Sequence, residues 1–220
     1  RVDLAELADD MLGLAVDYKH YRQGKRLDLS EVYYGLSLQL LSYLLVLAQH
    51  GQSLAGRRVR PIGAFYVGLV PSYENLPHPD DYDEAKHSPL RVHRPRGLFD
   101  VQRIEDLDND YDDRSSDIFA VRTKDGTIQY ANQSDASYSD DFDRVLEHTR
   151  YRLGQLADRI IDGDVAVAPY RLGRSSPCGW CSFGRVCGFE FGQPGLRFLD
   201  KLTRTQAFEM LTRDRAEGAS

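Results

Sequence analysis

Three neighbouring segments restrict the fold of this chain more than anything else in it. Leu12–Lys19 is an apolar run that reads as a strand, and Val32–His50 carries apolar residues at helical spacing. Pro61–Val70 is an aromatic-rich strand that stops at Pro71. A strand–helix–strand step of this kind indicates a mixed α/β domain, a sheet flanked by helices. At 220 residues the chain can bury one good core, or one core with a smaller appendage.

The flanking segments are read in the same way. Val2–Leu7 pairs with Leu12–Lys19 as a hairpin, with Ala8-Asp9-Asp10 in the turn region. Ser30 and Glu31 start the helix, and Gly51 ends it. Its Leu36, Gln39, Leu40 and Tyr43 are expected on one side. Residues 72–117 are the least regular part, with a short strand or helix within Gly97–Asp108. Ile118–Arg122 and Thr127–Ala131 form a second hairpin around Lys124-Asp125-Gly126. Phe142–Ile161 is a second amphipathic helix, ended by Asp162-Gly163. The expected division is a main domain over 1–170, a cysteine segment over 171–195 and a helical tail over 196–220.

The charge balance limits partners only weakly. A net charge of −6 is not that of a typical nucleic-acid binder. The charge is unevenly spread, however. Acidic residues crowd Asp80–Glu84 and Glu105–Asp117, and basic ones cluster at Arg57, Arg58, Arg60 and at Arg91, His93, Arg94, Arg96. No apolar stretch is long enough to span a bilayer, so no membrane partner is expected. The chain opens on Arg1 with no Met, which reads as a fragment whose targeting information lies upstream.

The first strand of the step ends on Asp17-Tyr18-Lys19. Alternation puts Asp17 and Lys19 on the same face, so a carboxylate able to hold a divalent cation stands beside an ammonium. Cleaving a phosphodiester requires neutralising charge on the phosphoryl oxygens and producing hydroxide near neutral pH, and one or two Mg²⁺ ions can do both. Mg²⁺ keeps several waters and takes few carboxylates. Asp17 is the first candidate ligand and the Tyr18 carbonyl a second, with Lys19 on the attacking water or the phosphate. Gln39 and Tyr43, one helical turn apart, can face the site from the following helix. A bare D-x-K tripeptide is a weak signal by itself, since an exposed strand end with an Asp and a Lys is common.

Cys178, Cys181 and Cys187 lie within ten residues, interleaved with Trp180, Phe183 and Phe189. An odd number at such tight spacing is a poor disulfide framework and suits a metal or cluster in a reducing compartment. Thiolates select zinc or iron–sulfur clusters, and the aromatic neighbours are expected to exclude water. Zinc ribbons pair one C-x-x-C with another, and no second pair exists here. His93 and His148 are possible fourth ligands.

Val16-Asp17-Tyr18-Lys19, the run Val32–Leu44 with Gln39-x-x-x-Tyr43, Pro61-Ile62-Gly63-Ala64-Phe65-Tyr66 and the cysteine segment together resemble a known nuclease domain. It is that of the AddB family, the B-type component of the ATP-dependent helicase/deoxyribonuclease of bacterial double-strand-break repair. The resemblance spans Arg1 to about Glu190. It implies a restriction-endonuclease-like PD-(D/E)xK fold and Mg²⁺-dependent cleavage of one strand of unwound DNA, beside an AddA-type helicase/nuclease in the cytoplasm. It further implies a [4Fe-4S] cluster on Cys178, Cys181 and Cys187, with the fourth cysteine far upstream of this sequence. The family carries another metal-binding Asp on the strand before D-x-K. Asp3 is that ligand in one reading; in the other it is a second Asp just after the motif, and the true ligand lies upstream. Two rivals remain: a single-strand exonuclease of the Cas4 type, and a non-catalytic DNA-binding scaffold subunit.

Overall fold

The computed structural model describes residues 1–7, 10–22, 26–70, 78, 80, 92–112, 114–189 and 195–218. β1 (Val2–Leu7) and β2 (Asp10–Arg22) form the expected antiparallel pair. The turn residues Ala8 and Asp9 lie outside the described set, as do most of 71–91. After β2 come a short helix α1 (Leu29–Tyr33), a longer helix α2 (Gln39–Ala55) and β3 (Val59–Val70), which returns parallel to β2. β4 (Arg96–Asp100) pairs antiparallel with β3, and a 3-10 turn over Val101–Arg103 leads into the one-turn helix α3 (Ile104–Leu107). Next are β5 (Thr123–Lys124) and β6 (Thr127–Ile128), then β7 (Ala136–Ser137) and the long helix α4 (Ser139–Ile161). The main sheet runs β1-β2-β3-β4-β7, a mixed five-stranded sheet.

The strand–helix–strand step is therefore present, but its helix is not the one expected over Val32–His50. The chain breaks between α1 and α2, where Gly35 adopts φ +76°, a region open to glycine at little cost. Leu36 falls in that break and not on a helix. Helix α2 then begins at Gln39 and runs through Gly51 to Ala55. Gly51 does not end it: a Cβ there would stand 2.5 Å from the Val59 Cβ, so glycine lets the helix lie against β3. Leu40, Leu41, Leu44 and Leu47 are buried, each stabilising by about 1.5–3 kcal/mol relative to exposure. Gln39 and Tyr43 sit on the exposed edge of the same helix, away from Leu40.

Two cores flank the sheet. Ala15, Ala64 and Tyr66 pack with the α2 leucines, α4 and the last helix on one face. Phe65, Phe99, Phe119 and Val121 form the other with Val101, Ile104 and Ala136, their rings 5.0–5.8 Å apart. The second core is filled from the stretch expected to be a hairpin over Ile118–Ala131. The ladder there is only two residues long on each side, closed by Asp125 and Gly126 at positive φ. Phe119 and Val121 leave the strand geometry to serve the core.

Beyond α4 the chain forms β8 (Tyr170–Leu172), the 3-10 turn Pro177–Trp180, the one-turn helix α5 (Gly184–Cys187), β9 (Arg197–Leu199) and α6 (Arg204–Gly218). β8 and β9 pair in parallel and close a loop around the cysteines. The segment from Leu196 thus starts as a strand and only later turns helical. Ala207 and Leu211 of α6 are buried in the first core, so this helix completes the main domain.

Candidate active site

β2 and β3 pair so that Asp17 lies beside Tyr66 and Lys19 beside Gly68. Ala15, Asp17 and Lys19 share the sheet face that Ala64 and Tyr66 present to α2. Lys19 Nζ is 2.8 Å from Asp17 Oδ2 and donates to Gln39 Oε1 at 3.1 Å. Gln39 Nε2 in turn donates to the Tyr43 hydroxyl at 2.9 Å. Tyr43 thereby fixes which way the amide points, with its oxygen towards the ammonium. Asp17, Lys19, Gln39 and Tyr43 form one continuous polar chain, assembled from the second half of β2, which runs on past Lys19 to Arg22, and the first two turns of α2.

Asp17 holds the ammonium of Lys19 above its usual pKa, against the opposing pull of desolvation. Lys19 is therefore a cation at neutral pH. The contact is a close ion pair, yet the buried Oδ2 of Asp17 accepts no directed hydrogen bond. An anionic oxygen in that condition is rare in a folded protein and suits a divalent cation. The donor set fits magnesium, a hard cation that binds through oxygens.

Sequence does not single out Tyr66, which reads as one more apolar position of an aromatic strand. It is 7% exposed, its ring centroid lies 5.6 Å from Lys19 Nζ, and its hydroxyl hydrogen-bonds Ser37. Burial raises its phenol pKa, so the hydroxyl stays neutral. The signal that could have found it is parity: on paired parallel strands it sits level with Asp17.

Asp3 does not join this group. It pairs with Leu14, and Leu14 faces the second core, on the opposite side of the sheet from Asp17. Its carboxylate is 2.7 Å from Arg1 Nε, and Arg1 Nη1 donates to the Tyr18 hydroxyl at 3.2 Å on that same side. Arg1 and Val16 exchange backbone hydrogen bonds at 2.8 and 2.9 Å. The Tyr18 ring also points away, leaving only its backbone carbonyl next to Asp17.

The basic cluster at 91–96 is occupied elsewhere. His93 Nδ1 meets the Gly68 carbonyl at 2.8 Å, Arg94 binds the carbonyls of Ser116, Ile118 and Phe119, and Arg96 forks onto Asp135. Arg91 lies outside the described residues. Arg57, Arg58 and Arg60 stand around the start of β3, the end of the strand remote from Asp17.

Cys178 is half-buried, while Cys181 and Cys187 are exposed. The Ser176 hydroxyl caps the first turn by accepting from the Cys178 amide. Trp180 and Phe183 are 73% and 72% exposed, so they do not shield the thiols from water as expected. Among the described residues no three His, Cys, Asp or Glu side chains converge as a metal-ligand group. The thiols as placed do not fit a cluster by themselves. His148 is stacked on Tyr33 at 5.3 Å, with Nε2 2.9 Å from the Tyr33 carbonyl. Both this histidine and His93 are thus held at other contacts. No helix among the described residues is long and apolar enough to cross a membrane.

A family model described as the PD-(D/E)XK nuclease superfamily matches residues 1–188. The chain is 34% identical over 193 residues to the B-type component of the ATP-dependent helicase/deoxyribonuclease of Bacillus velezensis, covering 86% of this chain and 16% of that protein. It is 33% identical to the protein of the same name from Bacillus subtilis over the same shares. With that from Geobacillus kaustophilus it is 33% identical over 99% of this chain and 19% of the relative. The chain thus spans less than a fifth of the length of these curated relatives.

Proposed function

We propose, from the premise that the chain belongs to the PD-(D/E)XK nuclease superfamily, that it is the deoxyribonuclease domain of an AddB-type protein. In this reading it cleaves a strand of unwound DNA at broken duplex ends, alongside an AddA-type helicase/nuclease in the cytoplasm. The single observation that carries the reading is the polar chain from Asp17 through Lys19 and Gln39 to Tyr43.

A bound Mg²⁺ supplies charge neutralisation at the phosphoryl oxygens and a water acidic enough to ionise near neutral pH. Asp17 would hold it through its carboxylate, with the Tyr18 carbonyl as a neighbouring hard oxygen. Lys19, kept protonated, donates to the attacking water or to a non-bridging oxygen of the scissile phosphate. Gln39 holds that ammonium when Asp17 turns to the cation, and Tyr43 holds Gln39. The intact protein is assayed on single-stranded DNA with Mg²⁺, wild type against Asp17→Ala. Loss of cleavage in the variant is expected, and equal activity would sink the assignment.

For the cysteine segment, the C-x-x-C-x₅-C spacing supports a structural [4Fe-4S] cluster completed by a fourth cysteine outside this sequence. No catalytic step runs through it. Broad absorbance near 400 nm in the intact protein is expected; a colourless protein with stoichiometric zinc overturns the cluster.

A further inference from the structure

Beneath the lysine lies a side chain that nothing in the D-x-K or Q-x-x-x-Y pattern calls for. The Lys19 ammonium has three protons to place. One goes to Gln39 Oε1 at 3.1 Å, and the ammonium as a whole stands 2.8 Å from Asp17 Oδ2 as an ion pair. The ammonium also stands 5.6 Å from the centroid of the Tyr66 ring, within cation–π range. Tyr66 belongs to the neighbouring parallel strand, level with Asp17, and its ring is almost wholly buried between the sheet and α2. The Ser37 hydroxyl, in the break between α1 and α2, hydrogen-bonds the Tyr66 hydroxyl. The ring therefore has a fixed position, set by a strand on one side and a tether on the other.

We infer that Tyr66 is a positioning residue for Lys19, acting through the face of its ring. The inference rests on the proposed nuclease reading and deepens it. Asp17 is the nearest partner of the ammonium. When its carboxylate turns to a divalent cation, Lys19 shares or loses that partner and gains a like charge nearby. Gln39 and the Tyr66 ring are then what keep Lys19 at the phosphate. A neutral, buried ring attracts the ammonium without competing for the metal, which a carboxylate would do. The hydroxyl is a tether, and the ring is the contact.

The test compares Tyr66→Phe, which keeps the ring and drops the tether, with Tyr66→Leu, which drops both. Cleavage of single-stranded DNA by the intact protein is measured under saturating and limiting substrate, with thermal melting as a check on folding. A cation–π contact of ~0.5–2 kcal/mol corresponds to roughly a 2- to 30-fold fall in kcat. That fall is expected for Tyr66→Leu, with KM nearly unchanged and near-complete rescue by Tyr66→Phe. A leucine variant that melts normally and turns over like wild type overturns the inference. So does a phenylalanine variant as slow as the leucine one, which would assign the effect to the hydroxyl.

A second readout needs no catalysis. The ε-methylene protons of Lys19, identified by comparison with Lys19→Arg, are followed by NMR in protein carrying ¹³C-lysine. An upfield ring-current shift is expected in wild type and in Tyr66→Phe and is absent in Tyr66→Leu. No such shift in the wild type overturns the contact itself. If the wild type fails to cleave DNA with Mg²⁺ yet shows the shift, the nuclease reading falls while the ring–ammonium contact stands.

Discussion

Asp17 and Asp135 both present buried oxygens at the main sheet, and they are treated in opposite ways. Asp135, fully buried just before β7, is saturated. Arg96 forks onto it at 2.7 and 3.2 Å, Arg26 Nε stands 3.2 Å away, and the Gly97 amide donates to it at 3.1 Å. Arg204 closes the cluster from α6 through the carbonyls of Asp135 and Ala136. Burial lowers the pKa of both Arg26 and Arg204, the latter to about 10, and both remain cations at neutral pH. Asp17 has one lysine and an oxygen without a directed hydrogen bond. A carboxylate whose lone pairs are all engaged can only hold structure together. One left under-satisfied keeps room for a ligand, and the cost of leaving it so marks a site of chemistry.

The largest expected effect tests that contrast on the Asp17 side. Asp17→Asn retains the shape but loses the charge that a cation needs, and cleavage is expected to fall ~10³-fold or more. Its melting temperature should change little, because a single partly exposed lysine is all it leaves unpaired. Near-normal cleavage would place the metal elsewhere. Asp135→Ala should do the reverse, leaving the guanidinium groups of Arg26 and Arg96 without their shared anion. A loss of about 3–5 kcal/mol in unfolding free energy is expected; an unchanged denaturation midpoint would show the cluster to be dispensable.

Smaller effects sharpen the comparison. Gly51→Ala forces a methyl against Val59 and should cost about 1–3 kcal/mol by overpacking. Because α2 also carries Gln39 and Tyr43, cleavage is expected to weaken along with stability; a stability loss with unaltered kcat would separate the helix seat from the site. Tyr43→Phe removes only the hydroxyl that orients the Gln39 amide. That amounts to about 1 kcal/mol, a roughly fivefold slower reaction, with melting unchanged.

The smallest effect lies away from both carboxylates. His148 is packed between Tyr33 and Arg152, and burial depresses its pKa, so the folded protein keeps it neutral. The unfolded chain takes up the proton first as pH falls below about 6.5. Stability is therefore fully present above that pH and is lost on acidification towards the folded pKa. His148→Gln should flatten this limb of the denaturation curve between about pH 7 and 5; a limb of unchanged slope would assign it to other groups. Tyr33 behaves in the opposite range: burial and Asp214 push its phenol up to about 12.

Much of the site was legible because its parts are local. Asp17 and Lys19 share a face by strand alternation, and Gln39 and Tyr43 share one by helical spacing. Their meeting needed only that the helix follow the strand. Asp3 was open in sequence because a strand's face depends on register, and register is set by the partner strand. A shift of one residue would have put it on the same face of the sheet as Asp17. Pairing with Leu14 put it on the other side. Tyr66 was hidden for a related reason, since its role comes from Asp17 and Lys19, remote in sequence and brought level with it across a parallel pair. The break at Gly35 was missed because Tyr33 through Leu38 fits a helical apolar pattern as well as α2 does. The cysteines were legible as a ligand pattern, but a pattern does not show that the thiols converge, and here they do not.

The sequence alone determined the α/β class, the strand–helix–strand step and the residue types of the site, because hydrophobic periodicity and short spacings are properties of the local chain. Only the tertiary structure decided which carboxylate is spent on packing and which is left for chemistry. That depends on how many donors reach each oxygen. For Asp135 those donors are Arg26, Arg96 and the Gly97 amide, brought from far along the chain by folding; for the buried Oδ2 of Asp17 the near partner among the described residues is its own neighbouring lysine.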